Sequence, residues 1–202
     1  MANNIPNAKN RIMQAAIKVF ADKSFEGSRI EEIAKTAGVP KSLIYYHFKS
    51  KEEILTVLID GFIQEYRGLL QVAQADSHQT KAARLPERMQ DHYRDFNEKN
   101  ADLIRIILMD SLKKTAKQPI IYQIVEALVK VDEAFAEKNA QLPYERKERL
   151  MAEFFTNIIP TYAFLCFSDS WLDYFEMDQA EYQKTFIKIF TATHGAYHKY
   201  HE

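Results

Sequence analysis

The chain has 202 residues, 47% hydrophobic and 27% charged, with five Gly and six Pro. This composition excludes a disordered or collagen-like chain, and so few turn formers exclude a sandwich or barrel of many short strands, leaving an all-α fold as the expectation. Its formal charge is −1, unevenly spread: nine Lys/Arg and four Asp/Glu up to Lys51 give +5, and the remaining 18 bases and 24 acids give −6. A basic head on an acidic body is the footprint expected of a nucleic-acid reader with a separate second function.

The single cysteine, Cys166, excludes an intrachain disulfide and a thiolate metal cluster, so a reducing, cytoplasmic compartment is expected. Met1 to Asn10 is polar. The longest apolar run, Ile158 to Phe167, contains Pro160 and falls short of the roughly 20 residues that cross a bilayer, so neither secretion nor membrane insertion is expected.

In chain order, the spacing of Ile12, Ala16, Val19 and Phe20 predicts a helix over 9–23. Ser28 followed by Glu31 reads as a capping box opening a second helix, which buries Ile30, Ile33 and Ala34 and stops at Gly38. Pro40 suits the first position of a third short helix that turns Ile44 and Phe48 inward. Lys51 starts a longer helix carrying Ile54, Leu55, Leu58, Phe62 and Leu69, weakened by about 1 kcal/mol at each of Gly61 and Gly68. The pattern lapses around 75–85, read as the main loop. Further helices are expected at about 86–98, 101–115, 119–139, 145–174 and 178–200, about nine in all.

Two short helices joined by a Gly-containing turn, braced by a preceding helix, are the parts of a helix-turn-helix. Its third helix would turn Lys41, Ser42, Leu43, Tyr45 and Tyr46 outward, with His47 and Lys51 at its exit. A cation at a helix N-terminus such as Lys51 is badly placed unless a phosphate is near.

The run Ile33-Ala34-Lys35-Thr36-Ala37-Gly38-Val39, followed by Ile44-Tyr45-Tyr46-His47-Phe48-Lys49-Ser50-Lys51-Glu52-Glu53-Ile54, resembles the TetR/AcrR (tetracycline-repressor-like) family of bacterial transcription regulators. The resemblance covers about 45 residues of the head; the rest of the chain matches in length and helicity. It implies that Lys41, Ser42 and Leu43 face base edges of double-stranded DNA. It also implies that Tyr45, His47 and Lys51 hold the backbone, that Tyr46 does either, and that the helix end at Ser28 nears a phosphate. Pro40 and Ser42 depart from the family's usual Ser/Thr and Gly, so position 40 has no hydroxyl for a backbone contact, and Ser24 replaces a frequent Gly, which implies a slightly different loop.

In the body, aromatic residues crowd the segment from Phe154 to Phe175, as in a helix buried from several sides. The resemblance implies that the last two long helices form a homodimer interface, with Tyr182, Phe186, Ile189, Phe190, Thr193 and Tyr197 on one stripe. Tyr93, Phe96, Ile107, Met109, Phe155, Tyr162, Cys166 and Trp171 are candidates for an effector cavity, although each also reads as ordinary core. Pro160 is expected to kink its helix. His194, His198 and His201 share a helical face but read as solvated near the chain's end, so no metal is expected. With no Gly-rich phosphate loop, His-Glu-x-x-His or Gly-x-Ser-x-Gly, neither an enzyme nor a cofactor is expected.

The expectation is an all-α chain with a three-helix helix-turn-helix DNA-binding domain over 1–51, joined by a long helix to a helical ligand-binding and dimerisation domain over 52–202. Such a chain would be a cytoplasmic, ligand-responsive transcriptional regulator, most often a repressor, released from a palindromic operator by a small apolar or amphipathic effector. The alternative is an all-helical small-molecule or protein-binding module without specific DNA binding.

Overall fold

The computed structural model describes residues 8–75, 93–113, 119–139 and 145–201, and among these every regular element is helical. α1 spans Ala8–Gly27, α2 Ile30–Ala37, α3 Lys41–His47 and α4 Lys51–Ala75. α5 follows at Tyr93–Lys99, α6 at Ala101–Ser111 and α7 at Ile120–Asn139. α8 runs over Arg146–Phe175 and includes a π turn at Glu153–Ile158. α9 comprises Gln179–Phe190, a π turn at Thr191–Gly195 and Ala196–His201. The expected loop after Ala75 and the expected helix from residue 86 lie, up to residue 92, outside the described residues.

The head forms because three apolar stripes meet. Ile12, Ala16 and Phe20 of α1 close on Ile33 and Ala37 of α2, and Ile44 and Phe48 pin α3 to the same core. Each buried Ile or Phe contributes about 1.5–3 kcal/mol. Gly38 ends α2 in the left-handed region at φ 64°, and Val39 N–H donates to Ala34 O at 3.0 Å to complete the stop.

Two local expectations are corrected. The capping residue of α2 is Arg29, whose N–H donates to Glu32 Oε2 at 3.1 Å. Ser28, only 3% exposed, donates its hydroxyl to Phe25 O at 2.6 Å, because its side chain points into the α1–α2 turn and Glu31 is occupied by Lys41. Pro40 lies just before α3 in extended backbone (φ −66°, ψ 147°), not at its first helical position. Ser24 keeps a glycine-like backbone at φ 63°, ψ 164°, which interrupts α1 three residues before its end.

Head and body share a continuous core that extends from Ile12 through Ile54 and Leu58 of α4 to Ile104, Ile124 and Tyr162. α1 packs on α6, α4 on α7, and α8 on α6, α7 and α9. Pro160 does not break α8. The ladder instead widens into the π turn just ahead of it, which accommodates the missing N–H. The 30-residue α8 is long and apolar enough to cross a bilayer by length and composition alone. It is nevertheless packed among helices and carries a buried Arg149–Glu153 ion pair at 2.5 Å.

Candidate nucleic-acid interface

α3 is a short helix with a divided surface. Ile44 and the following Phe48 face the head core, while Lys41, Ser42, Tyr45 and Tyr46 are exposed and Leu43 and His47 are half-buried. Tyr46 is 81% exposed and Tyr45 50%, an unusual expenditure of aromatic surface for a helix with no interior role on that side. Tyr46 packs edge-to-face with His47, centroids 5.0 Å apart, and the Lys41 ammonium lies 5.6 Å from the Tyr45 ring centre. Short polar, aromatic and cationic side chains on one narrow rod are the donors, acceptors and stacking surfaces that reach base edges and phosphates.

Electrostatics qualifies this picture residue by residue. Lys41 is salt-bridged to Glu31, and their hydrogen bond raises the lysine pKa and lowers that of the carboxyl. Lys23 is held in the same way by Glu32, at 2.5 Å. Both bridges are exposed, so a phosphate can exchange with the carboxylate at small cost.

Lys51 and Ser28 depart from the expected geometry. Lys51 turns back from the start of α4, and Nζ donates to Phe25 O at 2.7 Å, Ser28 O at 3.2 Å and Glu26 O at 3.4 Å while lying 4.5 Å from the Phe25 ring centre. Its charge serves the orphan carbonyls of the α1–α2 turn, so an internal clamp replaces the phosphate that an N-terminal cation would require. Buried Ser28 likewise offers no surface for a backbone contact in this conformation.

Among the cavities that the described residues of the body line, two measure about 560 Å³ each. One opens between α5, α8 and α9, where Phe164, Leu165 and Ile187 form an apolar floor and Arg94 and Lys184 stand at its edge. Thr161, also lining it, is buried, and its Oγ1 has no hydrogen-bond partner among the described residues. The other is an almost wholly apolar groove lined by Pro160, Phe167, Trp171, Tyr182, Phe186 and Ile189.

Of the candidate effector contacts only Trp171 lines a described cavity. Phe96 packs against Phe62 and Tyr66, with Tyr93 beside Tyr66, and Ile107 and Tyr162 are core. Met109 and Phe155 are exposed. Cys166 is half-buried, and burial raises its thiol pKa as it does the Tyr162 phenol.

The expected dimer residues divide. Ile189 and Thr193 are exposed, Phe186 and Tyr197 half-buried, and Tyr182 and Phe190 buried. The Tyr182 hydroxyl donates to Phe164 O at 2.8 Å, and its ring stacks on Phe164 at 4.5 Å. Phe167 and Trp171 line the apolar groove with Ile189 and are exposed, as are Phe155 and Phe175 elsewhere on α8. Sequence reasoning missed the opposite situation at the histidines: His194 and His198 are 2% and 7% exposed, not solvated, and meet Glu153 in the interior.

Residues 12–58 match the family described as bacterial regulatory proteins, tetR family. Over 55 residues the chain is 42% identical to the uncharacterized HTH-type transcriptional regulator YerO of Bacillus subtilis, covering 27% of this chain and 19% of YerO, so the match spans about a fifth of that relative. It is 25% identical over 163 residues, 81% of each chain, to the biofilm operon icaADBC HTH-type negative transcriptional regulator IcaR of Staphylococcus aureus. The solved structure of FadR from Bacillus subtilis in complex with stearoyl-CoA aligns with a TM-score of 0.62 at 16% identity, over 91% of this chain and 98% of that one, a likeness of fold.

Proposed function

We propose, from the premise that this chain belongs to the tetR family of bacterial regulatory proteins, that it is a cytoplasmic, homodimeric repressor that binds a palindromic operator and releases it on taking up a small effector. The observation that carries the reading is the two-sidedness of α3, with Ile44 and Phe48 in the core and Lys41, Ser42, Tyr45 and Tyr46 in solvent. Residues 1–51 serve as the reading head and 52–202 as the body.

Two heads related by a two-fold axis would read half-sites about 34–36 Å apart. The apolar outer surface of α8 and α9, from Phe167 and Trp171 to Ile189, is the surface a second copy would cover. The cavity beneath Thr161 suits an amphipathic effector whose polar group meets that hydroxyl and whose anionic end meets Arg94 or Lys184. FadR's stearoyl-CoA supports an acyl compound as the class to try first.

A duplex titration with the DNA upstream of the chain's own gene tests this. Specific affinity should fall steeply with salt, because Lys and Arg displace counterions from phosphates. Tyr46→Ala and Lys41→Ala should weaken it by about 1–3 kcal/mol each. Affinity that is weak, sequence-independent and unchanged in both variants would leave the helical binding-module reading in its place.

A further inference from the structure

Where α8 crosses α9, each helix widens into a π turn, Glu153–Ile158 in one and Thr191–Gly195 in the other. π turns occur often at functional sites because they re-aim side chains that a regular helix would place elsewhere. The two turns pack on each other and bring Glu153, His194 and His198 together in the interior. His194 Nε2 lies 3.1 Å from His198 Nε2 and 3.8 Å from Glu153 Oε2, and His198 Nε2 lies 3.7 Å from Glu153 Oε1.

Hydrogen bonding fixes how His194 presents itself. Thr156 donates its hydroxyl proton to Ala152 O at 2.6 Å, so its oxygen accepts from His194 Nδ1–H at 2.8 Å. Nε2 of His194 then carries the lone pair and faces the cluster. This is the orientation a histidine takes as a metal ligand when its other nitrogen is anchored. Asn157 donates to Glu153 Oε2 at 2.7 Å and holds the carboxylate in the same direction.

We propose that Glu153, His194 and His198 form a binding site for a divalent transition metal of the zinc class, which Arg149 closes in the metal-free state. Two borderline imidazole nitrogens beside one hard carboxylate suit Zn²⁺, Co²⁺ or Ni²⁺, not Ca²⁺ or Mg²⁺, which take oxygen ligands. With metal–ligand bonds of about 2.0–2.1 Å, nitrogens 3.1 Å apart already have the spacing of two ligands on one ion, and a small inward shift of the carboxylate completes the set.

Arg149 is the competing cation. Its Nη2 lies 2.5 Å from Glu153 Oε1, and its Nη1 stands 3.3 Å from both ring nitrogens of His198. A divalent ion beside that guanidinium is repelled, so metal entry requires Arg149 to swing out and His198 to carry its proton on Nδ1. The site would thereby exchange a monovalent clamp for a divalent one at the crossing of the two helices whose outer surface the dimer would use. This inference goes beyond the regulator reading and does not depend on it, since metal uptake is measured without DNA.

The test is a Co²⁺ titration of the full chain, freed of metal by a chelator, followed by visible absorption and then by displacement with Zn²⁺. The expected result is one Co²⁺ per chain, with the strong visible bands of a low-coordinate site that bleach on adding Zn²⁺. Glu153→Gln, which keeps the side-chain volume, and His198→Asn should each weaken binding at least tenfold. Arg149→Met should tighten it. Zn²⁺ should raise the thermal midpoint of the parent chain and not that of Glu153→Gln. The proposal is overturned if neither the parent nor Arg149→Met takes up Co²⁺ or Zn²⁺ while circular dichroism shows both folded. It is equally overturned if uptake is unchanged in Glu153→Gln and His198→Asn, which would place the ion elsewhere on the chain.

Discussion

Lys113, at the end of α6 in the body, is salt-bridged to Glu26, at the end of α1 in the head. The same ammonium reaches Asp110 Oδ1 at 2.5 Å and lies 6.0 Å from the Phe25 ring centre, while Lys51 lies 4.5 Å from that ring. Head and body are therefore joined by a cationic clasp at Phe25–Glu26 in addition to the long α4.

The clasp predicts an acid sensitivity. The hydrogen bond from Lys113 holds the Glu26 carboxyl below the ordinary carboxylate range. A depressed carboxylate contributes stability above its unfolded pKa of about 4.3, and that contribution is lost as pH falls through the folded value. Glu26→Gln should lower stability by at most about 1 kcal/mol at pH 7, because the pair is exposed. Urea titrations should show the parent and variant converging below about pH 4; a gap that persists there would exclude the ion pair as its source.

Lys51 and Lys41 should behave differently. Lys51 is spent on the carbonyls of Phe25, Glu26 and Ser28, so Lys51→Ala should lower stability by about 1–3 kcal/mol and leave the salt dependence of DNA binding unchanged. Lys41→Ala should leave stability nearly intact and reduce the slope of log affinity against log salt by about one. Glu31→Gln, which frees Lys41, should strengthen duplex binding. A slope reduced by Lys51→Ala would show that the clamp opens on DNA.

Ser24 holds a backbone conformation, φ 63° and ψ 164°, that favours glycine. Replacing it by glycine removes a strain of about 1–3 kcal/mol, offset in part by the greater entropy of the unfolded glycine chain. Ser24→Gly should therefore raise the urea midpoint by the equivalent of about 1 kcal/mol. A lowered midpoint would mean that the Ser24 hydroxyl, 3.4 Å from Gly27 N, matters more than the strain.

Trp171→Glu and Ile189→Glu test the outer surface of α8 and α9. Both positions are exposed in the single chain, so the substitutions should spare the fold of each protomer. In a dimer they would bury unpaired charge, weakening association by about 3 kcal/mol or more. Sedimentation should show monomers at concentrations where the parent is dimeric; dimers of undiminished strength in both variants would place the interface elsewhere.

The head was the most legible part of the sequence, because its signals are local. The stripe from Ile12 to Phe20, the stop at Gly38 and the inward Ile44 and Phe48 each depend on spacing within a few residues, and they stand where expected. The positions of Ser28 and Lys51 were misjudged because both depend on the path of the α1–α2 turn, which spacing does not specify. In the body, helix periodicity located the elements but not their neighbours. Phe96 and Ile107 are core and Phe155 is exposed, and nothing in their own sequence context separates the three. The buried cluster was hidden because Glu153 and His194 are far apart in the chain. An Arg149–Glu153 pair four residues apart, just ahead of the aromatic run that starts at Phe154, was the signal available.

A π turn takes up one more residue than the α-helical turn it replaces, so it sets the phase of everything downstream back by about 100° relative to an unbroken α-helix. Beyond Ile158 the angular position of Phe167 and Trp171 around α8 is thus set by the bulge ahead of them. Deleting a single residue within Glu153–Ile158 would restore a regular turn and leave these rings where they are, whereas closing the bulge with its residue count kept would swing the whole downstream segment by that angle, toward neighbouring helices. The bulge therefore acts as a register key: one residue at the buried crossing governs which face α8 offers to the outside.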